Sequence, residues 1–79
     1  MIEEHDRVVL TRDIPGEDLV GGDVGTVVHV HAEGKAFEIE FMTLDGQTAA
    51  VATVDASAVR PVTGRDISHS RHSQRSKSK

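Results

Sequence analysis

The chain has 79 residues, nine basic and thirteen acidic side chains, a formal charge of −4 and no cysteine. A chain this short is one domain near the lower limit for a self-sufficient core, and the missing thiols exclude disulfide staples and thiolate metal sites. The charge is divided unevenly: residues 1–62 hold four basic against twelve acidic side chains, and residues 63–79 hold five basic against one.

An acidic body therefore carries a basic tail. The body repels nucleic acid and attracts basic partners, and the tail does the reverse. No apolar run approaches the roughly 20 residues that span a bilayer. The start, Met1-Ile2-Glu3-Glu4-His5-Asp6, is acidic and lacks the basic and apolar stretches of a secretion signal, so the expected location is the cytoplasm.

The body alternates short apolar runs with turn signals, the pattern of an all-β domain. Arg7–Thr11 reads as the first strand. A long polar loop, Asp13–Asp23, follows, with Ile14, Leu19 and Val20 available to pin it to the core. Gly25–His31 is the second strand, Ala32–Lys35 a loop, and Ala36–Met42 the third strand. Asp45-Gly46 is a strong hairpin signal. Thr48–Val54 is the fourth strand, Asp55–Ala58 a helical turn capped by Asp55, and Val59–Val62 a last strand that Pro61 confines to an edge.

Register follows from the turns. A two-residue turn at Asp45-Gly46 places Phe41 opposite Ala50, Ile39 opposite Ala52 and Phe37 opposite Val54, with Met42/Ala49, Glu40/Val51 and Glu38/Thr53 on the other face. A four-residue loop at Ala32–Lys35 places Val30, Val28 and Thr26 opposite Phe37, Ile39 and Phe41. Both hairpins select one inner face, carrying Phe37, Ile39 and Phe41. Residues 63–79 are rich in Ser, Arg, Lys and His, with Ile67 their single large apolar side chain. They bury too little surface to offset the entropy of ordering, so a disordered tail is expected.

Five strands, a long first loop, a central meander and a helical turn before the last strand describe a five-stranded SH3-like barrel over residues 1–62. Gly22-Asp23-Val24-Gly25-Thr26-Val27-Val28 resembles the turn-and-strand of several such barrels, among them KOW-type modules, where Gly25 would supply an unusual backbone angle. Over a longer stretch the chain resembles the bacterial family catalogued as domain of unknown function 4926. The resemblance rests on Asp6–Pro15, Gly22–Val30 and Ala56–Pro61. It implies a small stand-alone bacterial protein, and it implies no activity and no catalytic residues.

Few residues point to chemistry. His29 and His31 share the outer face of the second strand, with His29 opposite Glu38. Two His and one carboxylate fall short of a zinc ligand set, so no metal and no cofactor is assigned. Ser57 has no His and orienting carboxylate placed around it, and Asp55 and Ser57 are accounted for by the helical turn. Gly21-Gly22 is not a phosphate loop, because no helix follows and the loop is acidic.

The expected function is therefore a non-catalytic protein-interaction module, an accessory or antitoxin-like partner of a basic protein. Its binding surface would be the first loop and the outer face, with Glu17, Asp18, Glu38, Glu40, Met42 and Val51, where apolar groups are rimmed by charge. The alternative is a KOW-like barrel associated with nucleic acid through non-specific phosphate contacts of its basic tail. The tail has no aromatics on which bases would stack. A third reading, metal-dependent hydrolysis at His29, His31 and Glu38, lacks a further ligand.

Overall fold

The computed structural model describes residues 1–73. Five strands form a single sheet: β1 (Arg7–Leu10), β2 (Val24–His31), β3 (Ala36–Met42), β4 (Thr48–Asp55) and β5 (Val59–Pro61). Every neighbour is antiparallel, in the order β4-β3-β2-β1-β5. The described residues contain two short 3-10 turns, Ala32–Gly34 and Ala56–Ala58, and no α-helix. No helix among them is long and apolar enough to cross a membrane.

The expected closed barrel is not formed. Among the described residues no ladder joins β4 to β5, so the sheet stays open. The short last strand gives the reason. β5 has three residues, and Pro61 brings no N–H to a second ladder. It sits at the sheet edge, as its proline requires. The turn before it is built as expected, with the Asp55 carboxylate accepting from the Ser57 amide at 2.9 Å.

One face of the sheet is the core. Val8, Leu10, Val27, Phe37, Ile39, Phe41, Ala50, Ala52, Val54 and Val59 form one cluster with Leu19 from the first loop and Ala58 from the second 3-10 turn. Phe41 faces Ala50, Ile39 faces Ala52 and Phe37 faces Val54, so a large side chain on β3 meets a small or medium one on β4. This pairing is the expected one, although the turn that sets it is different. The amide of Thr43 donates to Gln47 O at 2.8 Å and that of Gly46 to Thr43 O at 2.9 Å, and Gly46 has φ 89°. The loop is therefore three residues, Leu44-Asp45-Gly46, a type I turn closed by a left-handed glycine. Met42 consequently pairs with Thr48, not Ala49, and a bulge restores the expected register from Phe41 onward.

The β2–β3 pairing matches expectation next to its loop, where Val30 faces Phe37 and His29 faces Glu38. Beyond a bulge between Val27 and His29 it slips by one. Val27 faces Ile39 and Gly25 faces Phe41, in place of Val28 and Thr26. Val27 is fully buried and Val28 is 40% exposed, the reverse of the expected faces. The cause is Gly25. A Cβ there would lie 2.4 Å from Ile39 Cγ2 and 2.9 Å from Glu40 O, so the place opposite Phe41 accepts only a residue without a side chain. Gly25 thus serves close packing and not the unusual backbone angle expected of it. That angle belongs to Gly22, at φ 98°.

Candidate functional site

The long first loop is organised by its own turns. Glu17 N donates to Ile14 O across Pro15-Gly16, with Gly16 at φ 85°, a type II geometry. Ile14 and Leu19 bridge the base of this small hairpin, and Leu19 is buried in the core. A second turn follows, with Asp23 N donating to Val20 O at 3.0 Å. The Asp23 carboxylate closes it from the other side by accepting from Val20 N at 2.9 Å, while Asp13 accepts from Gly21 N at 2.9 Å. Leu10 fixes this turn to the end of β1, its amide donating to Asp23 O at 2.9 Å and its carbonyl accepting from Gly22 N at 2.8 Å. Two carboxylates are thus spent on holding the loop, and one of them, Asp23, keeps acceptor capacity to spare.

That capacity is filled from the C-terminal segment. Residues 63–73 contain no strand or helix, yet they are anchored at two points. Asp66 accepts from Arg60 through both terminal guanidinium nitrogens, at 3.1 and 2.6 Å, and from the Thr63 amide at 2.7 Å. These bonds, led by the one from Arg60, hold the Asp66 carboxyl far below its ordinary value. Further on, Arg71 donates from Nε to Asp23 Oδ1 at 2.8 Å and from Nη2 to Asp23 Oδ2 at 2.7 Å, a two-pronged fork on one carboxylate. Arg71 Nη2 also donates to the Asp18 carbonyl at 2.7 Å. Beside this fork, His69 Nε2 lies 3.2 Å from Asp23 Oδ1, and Ser73 donates to Asp18 Oδ2 at 2.9 Å. The pair is well shielded, with side chains 24% (Arg71) and 12% (Asp23) exposed. Burial pushes the Asp23 carboxyl up. The bonds from Arg71, Val20 and His69 and the Arg71 charge outweigh it and leave the group below its ordinary value. The expected disorder of residues 74–79 lies outside the described residues.

The segment His69–Ser73 forms one wall of an open groove of about 900 Å³. The groove runs from the first loop to the β3–β4 hairpin, and Asp18, Asp23, Thr26, Glu40 and Met42 line it. Three of the six expected binding residues, Asp18, Glu40 and Met42, therefore share one concavity. Glu17, Glu38 and Val51 lie outside it. Val51 stands opposite Glu40 on the outer face, where Val51 is 50% and Met42 49% exposed. Glu40 accepts from the Thr48 hydroxyl.

Glu38 lies further along the same face and is engaged by His31, whose Nε2 is 3.4 Å from Glu38 Oε1. His29 stands opposite Glu38 in the ladder but turns to Glu4 at 3.7 Å, and its ring meets that of His31 edge-on at 4.5 Å. No three His, Cys, Asp or Glu side chains converge on a point that would hold a metal among the described residues. Ser57 donates to Asp55 at 2.5 Å and receives Arg12 Nη2 at 3.3 Å. These bonds cap the turn before β5.

Fold and groove together define a small all-β domain with an acidic loop held against one end of its sheet. Residues 4–61 match the family described as domain of unknown function (DUF4926), and the chain belongs to that family. The match takes in the whole sheet and the first loop, and it ends before the segment that carries Arg71. Neither a curated protein nor a solved structure matches the chain.

Proposed function

We propose that this protein is a non-catalytic interaction domain that binds a basic protein partner through the first loop and the outer face of β2–β4. One observation carries the reading. Acidic Asp18 and Glu40 and apolar Met42 border the same groove, and its acidic side already receives a guanidinium. Charge around an exposed apolar centre suits a surface that excludes water while selecting a cation. The strand order and the turn before β5 are compatible with an SH3-like sheet left open at its edge. A bacterial, cytoplasmic setting, with the protein made beside its partner in an antitoxin-like pair, fits the size and acidity.

The nucleic-acid reading is weaker. Arg71, one of the five tail cations available to phosphate, is paired with Asp23, and the body around it is acidic. Affinity capture from the native host at low salt tests the proposal. A single stoichiometric basic protein is expected with the unaltered chain, and it should be lost with Asp18→Lys/Glu40→Lys. Capture unaffected by that double substitution, or of nucleic acid alone, would overturn it.

A further inference from the structure

The Asp13–Asp23 loop holds one guanidinium through a carboxylate and a backbone carbonyl together. Both oxygens of Asp23 are used by Nε and Nη2 of Arg71, and the same Nη2 reaches the Asp18 carbonyl. Two acceptors on different residues, one a carboxylate already oriented by Val20 N and one a backbone carbonyl, match the planar fork of arginine. An ammonium in the same place would act as a point charge and could not bridge both carboxylate oxygens along a flat edge. The occupant comes from 48 residues away in sequence, on a segment without regular structure, and is tethered by the Arg60–Asp66 clamp.

We infer that Asp23 and the Asp18 carbonyl form an arginine-specific subsite of the groove, and that the chain's own Arg71 fills it as a built-in competitor of an arginine-bearing partner segment. This rests on the reading of the groove as a protein-binding surface and adds the chemistry of its occupant. The argument is one of complementarity. The body is strongly acidic, the subsite is shaped for a fork, and the intramolecular ligand is an arginine flanked by Ser70 and His72 in a polar stretch without strand or helix. A partner that presents an arginine in such a stretch meets the same acceptors once Arg71 leaves. While Arg71 stays, it competes at the millimolar effective concentration typical of a short tether. The strap also forms one wall of the groove that Asp18, Glu40 and Met42 line, so its release leaves the acceptors of Asp23 and Asp18 facing that groove.

The test uses the full chain, isotope-labelled, and a synthetic peptide of residues 67–73 as the probe. In the unaltered chain the peptide should bind weakly. In Arg71→Ala its affinity should rise by about tenfold, because a tethered competitor at millimolar effective concentration is removed. The shifts should centre on the amides of Val20, Gly21 and Asp23. A peptide with alanine in place of the arginine should produce none of them, and Arg71→Lys should fall between the two chains.

Equal affinity of both chains, or shifts remote from the first loop, would overturn the inference. So would a concentration-dependent slowing of tumbling that Arg71→Ala abolishes, which would show that a second copy supplies the arginine. None of these failures bears on capture that depends on Asp18 and Glu40, so the wider reading of the groove is judged separately.

Discussion

Gly25→Ala isolates the packing argument from backbone propensity, because the two predict opposite signs. Gly25 has no positive φ, and on propensity alone alanine in a strand is better than glycine by about 0.5–1 kcal/mol. The structure opposes this. The added methyl would stand 2.4 Å from Ile39 Cγ2, 2.9 Å from Glu40 O and 3.0 Å from Phe41 Cδ1. Carbon atoms pack at about 3.5–4.0 Å, so the first contact is short by more than an ångström. Ile39 is fully buried and has nowhere to swing, and Glu40 O belongs to the ladder backbone. β3 itself must retreat from β2.

Overpacking of this kind costs about 1–3 kcal/mol, and the absence of a flexible neighbour places Gly25→Ala in the upper part of that range. Less the propensity gain, a net loss of about 2 kcal/mol is expected. For a domain of this size that lowers Tm by roughly 8–16 °C. Urea and thermal melts followed by far-UV circular dichroism measure both. The double substitution Gly25→Ala/Ile39→Ala should be less destabilised than the sum of its parts by about 1 kcal/mol, since the first clash is then removed. A Gly25→Ala chain as stable as the original, or a strictly additive cycle, would refute the reasoning.

Core and surface should separate in the same melts. Ile39→Ala and Phe41→Ala should each lose about 2–5 kcal/mol, and Met42→Ala and Glu40→Ala should stay within about 0.5 kcal/mol of the original while weakening partner capture. The bulge makes neighbouring valines unequal. Val27→Ala should cost about 1–3 kcal/mol and Val28→Ala under about 0.5 kcal/mol, and the opposite order in urea melts would restore the unbulged register. Docking of Arg71 should depend on pH in one direction. Asp23 titrates below its ordinary 3.8 when docked, so the contribution is complete above that value and is lost as pH falls through the lower, docked one. Amide shifts of Val20 and Asp23 followed through an acid titration of a His69→Ala chain, which removes the imidazole beside Asp23, should change only below that ordinary value. A transition above it would sink the assignment.

The sheet was legible because two physical signals agree. Alternating large residues on β3 and small ones on β4 have one register that keeps both sets on one face, and that register survives a turn of different length. Asp45-Gly46 suggests a two-residue turn, while the real loop takes in Leu44. The bulge at the Met42 end absorbs the extra residue, so Phe41, Ile39 and Phe37 keep their partners. β2 was less legible because Val27 and Val28 are both apolar, and alternation alone cannot choose between them. The choice is made by Gly25, whose need for a place without a side chain becomes visible only when β3 lies across it. The acidic first loop and the face of Glu40 and Met42 were legible as types of surface, from charge and strand phase. Their meeting in one groove was not, nor was the pairing of Arg71 with Asp23. Contacts between residues so far apart in sequence have no periodicity to reveal them.

If the groove binds a basic partner as proposed, net charge and fork geometry make separable contributions to what it selects. The surplus of carboxylates on the body attracts any basic segment, lysine-rich or arginine-rich, and that attraction fades as salt screens it over a Debye length of about 8–10 Å. The Asp23 subsite acts at shorter range and on shape. Its pair is largely shielded from solvent, so screening reaches it less, and its planar acceptors suit a guanidinium better than an ammonium. Recognition divides accordingly. On that reading the diffuse charge would set how fast basic chains arrive, and the fork which of them stay. An acidic body alone would be a poor discriminator, because every cationic protein in its compartment would satisfy it. Under the proposed competition, the self-docked Arg71 raises the threshold further, since a partner must outcompete a tethered arginine before it occupies the Asp23 subsite.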